Sequence, residues 1–470
     1  MLFNSLAFVA FFPIVCLLYW LLPHRWRNLF LLIASYYFYM NWKPAYALLI
    51  GFSTIVTWVC GRHIADSAGK AKKVSLVVCL VLNFAILFIY KYLNFATGAV
   101  FSLLDLAGLR MAVPEFDILL PVGISFYTFQ AVGYTIDVYR GTIRPERNFF
   151  TYALFVSFFP QLVAGPIERA ANLLPQFHTR HKFNGENLIE GFKLMIWGYF
   201  MKLCIAGNVS VYVDAVFNNL PNHNGTSVIM AAFFFTFQIF CDFGGYSLIA
   251  IGVARCMGFN LMQNFNRPYF ATSVKEFWRR WHISLSTWFM DYVYIPLGGS
   301  RCSRAKHLRN LLITFVVSGV WHGANWTFVV WGAYHGLLLC GHTIRVKFLH
   351  IKESTTGLMK AVNIVFTFVL AMAGWIFFRA NTLSDAVQAF HHILYRRGPL
   401  FIGEGKSEMA LPLVLIALLV LKELKDEMGW NIHLMHNKNV YVSAVSSALM
   451  IIVIAVCAQF ESGAFIYFQF

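Results

Sequence analysis

Apolar residues run in long blocks near 6–22, 29–60, 74–98, 118–137, 150–167, 188–206, 226–257, 310–344, 361–379, 409–422 and 440–459, separated by short polar stretches. A helix needs about 20 apolar residues to cross a bilayer, so this pattern predicts an all-α, polytopic integral membrane protein with ten to twelve spans. Two blocks have awkward lengths. The 29–60 run is interrupted by Asn41-Trp42-Lys43-Pro44, and the 310–344 run is too long for one helix and barely enough for two. Tilted, broken or re-entrant pieces are expected there, and irregular backbone at that depth requires a protein-lined cavity.

Composition agrees with the pattern. The chain is 59% hydrophobic and only 12% charged, about half the charge of an average soluble protein. A 17% aromatic share suits lipid-facing helices with interfacial belts. The formal net charge of +16 does not indicate nucleic acid, because the basic residues sit in short loops between apolar runs. That is the positive-inside distribution. Arg62, Lys70, Lys72 and Lys73 place the 61–73 loop in the cytoplasm, the 99–117 loop lies outside, and Arg140, Arg144 and Arg147 bring the chain back. The segment from Arg267 to Arg309 is cytoplasmic by the same rule. The nine cysteines lie mostly alone in apolar runs and read as small hydrophobes. No Lys or Arg precedes the first run at Leu6, so a removable leader is not expected. With no long polar stretch, one membrane domain over 1–470 is the simplest organisation.

The chemistry is sought where polar groups meet apolar surroundings. From Asn310 to Ile344 there is no Asp, Glu, Lys or Arg, yet the run contains Trp321-His322-Gly323-Ala324-Asn325-Trp326. An ionisable group at membrane depth is expensive and marks a functional candidate. One reading makes His322 a hydrogen-bonded structural residue; the other makes it a reactive group, with Gly319 and Gly323 allowing close approach and Trp321, Trp326 and Trp331 walling the gap. His335 and His342 share the run without comparable polar company and are expected to be structural. Moving an acyl group from a thioester to an alcohol requires removing a proton from a weakly acidic hydroxyl. Neutral imidazole suits that task near pH 7 and costs less to bury than a carboxylate. No Gly-x-Ser-x-Gly elbow is present to support a serine acyl-enzyme.

Upstream, Phe277, Trp281, Leu285, Trp288, Tyr292 and Ile295 recur at steps of three and four and predict one helix with an apolar face, beside a polar stripe of Lys275, Arg279, His282 and Ser286. The stripe reads either as an interfacial helix snorkelling its cations, or as cations holding a phosphate-bearing donor while His282 lines the reaction chamber. Tyr294-Ile295-Pro296-Leu297-Gly298-Gly299-Ser300-Arg301 predicts a turn. Asp242, after a long uncharged run, and the Glu168–Arg169 pair beyond Phe159-Pro160-Gln161 need partners at such depth and are expected to shape the pocket. His391-His392 and His433-Leu434-Met435-His436 lack a third ligand at useful spacing, so no metal site is expected.

Taken together the motifs resemble the membrane-bound O-acyltransferase family, in its alginate O-acetyltransferase-like bacterial branch. The resemblance is carried by Pro121-Val122-Gly123-Ile124-Ser125-Phe126-Tyr127-Thr128-Phe129-Gln130, Ile136-Asp137-Val138-Tyr139-Arg140-Gly141, Pro160-Gln161-Leu162-Val163-Ala164-Gly165-Pro166-Ile167, Cys241-Asp242-Phe243-Gly244-Gly245-Tyr246-Ser247, Glu276-Phe277-Trp278-Arg279-Arg280-Trp281-His282, the His322 segment and Phe465-Ile466-Tyr467-Phe468-Gln469-Phe470. It implies about eleven transmembrane helices plus re-entrant helices forming a funnel or tunnel, with a catalytic region at about 230–345. His322 matches the family's principal catalytic histidine and His282 its second, more variable position. Lys275, Arg279, Ser286, Asn325, Trp321 and Asp242 are candidates for substrate or donor binding. No bound cofactor is expected; acetyl-CoA or another acetyl thioester is the donor substrate. The implied partners are the lipid bilayer of a bacterial cytoplasmic membrane, an extracytoplasmic acetyltransferase or acceptor protein, and an exported polysaccharide as final acceptor. D-alanyl transfer toward teichoic acid, or peptidoglycan O-acetylation, stays open, as does a transporter or polymer conduit. Many relatives read Asp-Phe-Ser-Gly-Tyr-Ser-Asp where this chain has Gly244 and, at the last position, Leu248. The second carboxylate of that motif is missing here.

Overall fold

The computed structural model describes residues 1–109, 111–114, 116–351, 356–403, 405, 407–460 and 465–466, and among these the regular structure is entirely helical. Six helices among the described residues are long and apolar enough to cross a membrane: Tyr46–Asp66, Gly69–Leu106, Gly185–Phe217, Gly225–Cys256, Gly357–Arg379 and Val440–Cys457, with Leu6–Leu21 a shorter apolar helix. The protein is a multi-pass membrane protein. The other apolar runs are helical too, several of them broken at proline or glycine, as at Asn41–Pro44 and Gly323–Asn325.

The described chain forms two compact units, one of Met1–Phe192 with Ala250–Met262 and one of Lys193–Ile249 with Gln263–Phe470. The first contains α1 (Leu6–Leu21), α2 (His24–Met40), α3 (Tyr46–Asp66), α4 (Gly69–Leu106, with a π-turn at Phe88–Tyr92), α5 (Ile124–Arg140) and α6 (Phe149–Ser157). α2 and α3 are separated at the Asn41–Pro44 interruption, since Pro44 disfavours helical backbone at the residue before it. At Phe158 the chain leaves α6 and restarts as the short helix Phe159–Leu162. The carbonyl of Phe155, exposed by that break, accepts from Gln130 Nε2 at 2.6 Å and Gln161 Nε2 at 2.9 Å. Both carboxamides come from the motifs around Phe126 and Pro160, so those motifs repair a broken helix. Glu168 lies just beyond; it is buried and accepts from the Met262 amide and from Asn172.

The second unit holds most of α7 (Gly185–Phe217) and α8 (Gly225–Cys256), then α9 (Val274–Arg280), α10 (Ile283–Phe289), α11 (Arg304–His322), α12 (Trp326–Thr343), α13 (Gly357–Arg379), α14 (Ser407–Glu427) and α15 (Val440–Cys457). In the most apolar windows of α7 and α8, 78% of residues are buried, against 6% in α15. Helices α7 and α8 are mostly enclosed by protein in these windows, whereas α15 leaves its apolar surface exposed. They cross through glycines: a Cβ added at Gly198 would lie 2.6 Å from the Gly245 carbonyl oxygen, and one at Gly245 would lie 2.6 Å from that of Gly198. The 310–344 run resolves into the α11–α12 hairpin, broken at Gly323-Ala324-Asn325. Gly319 lies against the Phe328 carbonyl and Gly332 against that of Phe315, so small residues let the two backbones meet.

Candidate active site

The helix that the sequence periodicity predicts from Lys275 to Ile295 does not form as one piece. Helix α9 ends at Arg280, His282 takes left-handed backbone at φ 42°, ψ 53°, and α10 begins at Ile283. Tertiary hydrogen bonds displace the helical ones: the Asn266 amide donates to the Arg280 carbonyl and the Ile283 amide to the Asn264 carbonyl, each at 2.9 Å. The Asn264 side chain locks the junction, accepting from Ser284 Oγ at 2.6 Å and donating to Ser247 Oγ at 2.9 Å. A non-glycine residue held in this region is uncommon, and such residues cluster at functional sites. The break swings His282 out of the stripe it shares in sequence with Lys275, Arg279 and Ser286.

His282 then meets His322. Their ring centroids are 6.4 Å apart and the residues are 1% and 4% exposed. Phe243 packs over His282 at 4.6 Å. Around His322 stand Trp321 at 5.0 Å, Trp331 at 4.9 Å and Phe378 at 5.3 Å, all near perpendicular. Trp321 also lies 6.2 Å from His282, so its indole neighbours both rings. These aromatic walls keep bulk water from the imidazoles.

A cavity of about 750 Å³ approaches the pair. Lys275, Arg279 and Lys347 give it basic character, and Trp278, Ser286, Thr287, His307, Phe315, Ser318 and His342 also line it. Ser318 precedes His322 by one helical turn on α11, and Ile283, also in the lining, adjoins His282. The cavity stops there; neither histidine lines it. A second cavity of about 440 Å³ shares Lys275, Arg279, His342 and Val346 with the first and adds Lys360, Arg280, Glu276 and Glu427. Arg280 is held by Glu276 at 2.6 Å and by Glu427 at 2.9 Å, and Glu427 also takes Arg267 at 2.8 Å. Burial opposes ionisation of Glu276 and Glu427, yet hydrogen bonds outweigh it, from Thr272 and Arg280 to Glu276 and from Arg280 and Arg267 to Glu427. Both carboxyls stay below their usual range.

Of the other residues singled out in the sequence, Asn325 caps α12, accepting from the Thr327 amide at 3.1 Å and donating to the Asn381 carbonyl at 2.9 Å. Asp242 forms a buried ion pair with Lys202, and its second oxygen accepts the Ile466 amide at 2.8 Å. Phe465 packs against Tyr246, the ring centroids 5.0 Å apart, and lies 6.2 Å from Phe243. Asp242 thus ties Phe465 and Ile466 to the aromatic floor under His282. Sequence reasoning did not single out Lys202, Asn264, Arg280, Glu427 or Lys347. Lys202 was findable, because a lone lysine in the 188–206 apolar run demands a partner.

Comparison with known proteins identifies the family. The profile of MBOAT, the membrane-bound O-acyltransferase family, matches residues 142–383. The probable alginate O-acetylase AlgI of Azotobacter vinelandii is 39% identical over 82% of this chain and 76% of its own length. The peptidoglycan O-acetyltransferase of Helicobacter pylori is 33% identical over 83% of this chain and 79% of its own. The teichoic acid D-alanyltransferase of Bacillus subtilis is 27% identical over 54% and 68%. The matched region carries the histidine pair and the basic cavity, and the chain belongs to the membrane-bound O-acyltransferase family of enzymes.

Proposed function

We propose that the protein is an O-acetyltransferase of the bacterial cytoplasmic membrane. It moves acetyl from a cytoplasmic thioester, acetyl-CoA or a related donor, to a hydroxyl of an extracytoplasmic acceptor, for O-acetylation of an exported polysaccharide such as alginate. The observation that carries the reading is the juxtaposition of His282 and His322, 40 positions apart in sequence, with ring centroids 6.4 Å apart, next to a basic cavity lined by their chain neighbours Ile283 and Ser318. Lys275, Arg279 and Lys347 suit the phosphates of the donor, the apolar inner part suits its thioester arm, and Ser318 marks where the acyl group meets His322. His322 takes the hydroxyl proton as the oxygen attacks the thioester carbon; the C–S bond then breaks and the departing thiolate receives that proton. His282 and Trp321 orient the imidazole. In this reading about eleven crossing and re-entrant segments enclose a tunnel, and an extracytoplasmic acetyltransferase or acceptor protein receives the product.

Purified His322→Ala is expected to stay folded and membrane-inserted and to lose acetyl transfer; near-normal turnover would remove the assignment. Arg279→Ala is expected to raise the donor KM with little change in kcat. The names of the Helicobacter and Bacillus relatives keep peptidoglycan O-acetylation and D-alanyl transfer as the second reading. Ester content of cell wall and exopolysaccharide, with and without the protein, separates the two. A transporter would move substrate without covalent turnover, which vesicles given labelled donor and a soluble acceptor would reveal.

A further inference from the structure

Beside His322 lies a group of polar atoms that the proposed proton transfer does not use. Trp331 is fully buried and Trp278 is 9% exposed, and each has an indole Nε1 buried without a hydrogen-bond partner among the described residues. His335 is 1% exposed, and both of its ring nitrogens are likewise unpartnered. The three rings are mutual neighbours, with Trp278 and Trp331 centroids 5.7 Å apart and His335 at 5.0 and 5.1 Å from them. Trp278 lines the large basic cavity, and Trp331 stands 4.9 Å from His322. Buried indole N–H groups ordinarily find an acceptor, and leaving several unpaired together is costly enough to call for a reason.

We infer that the Trp278 and Trp331 indole N–H groups, with His335 between them, bind the carbonyl oxygen of the thioester and stabilise the negative charge it gains during transfer. This rests on the acyltransferase reading above. An indole N–H is a donor only, so the ligand it lacks is an acceptor. The cluster spans the interval between the cavity wall and the proton-accepting imidazole, where the acyl carbonyl must arrive. When the hydroxyl oxygen bonds to the acyl carbon, the carbonyl electron pair moves onto its oxygen; when the C–S bond breaks, the pair returns. Donors that wait unpaired need no reorganisation to meet that charge.

Trp331→Phe and Trp278→Phe keep an aromatic ring and remove the donor. With acetyl-CoA and a soluble hydroxyl acceptor, each is expected to lower kcat about 10²-fold, leaving donor KM and the unfolding temperature near wild type. Unchanged kcat in both would overturn the inference, as would a fall explained by lost stability or raised KM. A second measurement avoids turnover: the carbonyl stretch of ¹³C-labelled acetyl-CoA bound to His322→Ala should lie below its value in water and move back when Trp331→Phe is added. An unshifted band in His322→Ala also overturns it. Failure of the parent reading looks different, since His322→Ala would then itself remain active.

Discussion

Adjacent glycines in α8 are expected to respond oppositely to the same substitution. A Cβ at Gly245 meets the Gly198 carbonyl oxygen at 2.6 Å, the Lys202 amide nitrogen at 3.0 Å and Lys202 Cβ at 3.1 Å. At Gly244 the nearest atoms are the Met201 methyl at 3.3 Å and ring carbons of Phe240 at 3.5 and 3.6 Å. The first set is mostly backbone of α7 and has no rotamer through which to yield. The second is led by the tip of a flexible side chain. Both substitutions gain about 1 kcal/mol of helix propensity. At Gly245 the helices must separate by roughly half an ångström or more, and overpacking of that kind costs about 1–3 kcal/mol. Because the obstacle is main chain, the upper part of that range applies, and Gly245→Ala is expected to be destabilised by about 1–2 kcal/mol net. Gly244→Ala should be neutral or slightly more stable. Separation also moves Lys202 from Asp242 and lifts Phe243 from His282, so activity should fall with stability in Gly245→Ala alone. Thermal unfolding in detergent, followed by tryptophan fluorescence, together with acetyl-transfer rates, tests both. Equal stability of the two variants would refute the argument that the α7–α8 crossing is set by backbone contact.

Asn264→Ala removes the clamp on the α9–α10 junction and leaves Ser247 and Ser284 without their shared partner; a loss of about 1–3 kcal/mol and a lowered kcat are expected, and an unaltered rate would show that the break does not depend on it. Lys202→Met leaves the Asp242 carboxylate buried and unpaired, which costs about 3–5 kcal/mol; adding Asp242→Asn should restore part of the stability, and a double variant no better than the single one would argue against the pair. Glu276 and Glu427 titrate below their ordinary value of 4.5, so their contribution to stability is fully present above about pH 4.5 and is lost as pH falls through their lower folded values. Unfolding temperatures measured from pH 6 down to pH 3 should therefore drop more steeply in wild type than in Glu427→Gln, and parallel curves would exclude the network as a source of acid sensitivity.

How much of this could be read from the chain follows from what each feature depends on. The α2–α3 break at Asn41–Pro44, the turn after Tyr294 and the division of the 310–344 run were legible because proline, glycine and block length act locally. His322 was legible because an imidazole in an uncharged apolar run is costly wherever the fold puts it. The course of residues 275–295 was not: Phe277, Trp281 and Leu285 keep helical spacing through the junction, and the bonds that cut the helix come from Asn264 and Asn266. The partners of Asp242 lie 40 positions before it, at Lys202, and more than 200 after it, at Ile466, distances over which local pattern carries no information.

The sequence by itself determined that this protein lives in a membrane, since too few charged groups are present to cover a water-facing surface, and its motifs indicated the family. Only the tertiary structure decided that His282 leaves its own helical stripe to stand beside His322, that Asp242 anchors chain instead of facing the basic cavity, and that Trp278, Trp331 and His335 meet in one buried corner. Meetings of that kind are set by which helices pack together, and packing is a property of surfaces that neighbouring residues along the chain do not specify.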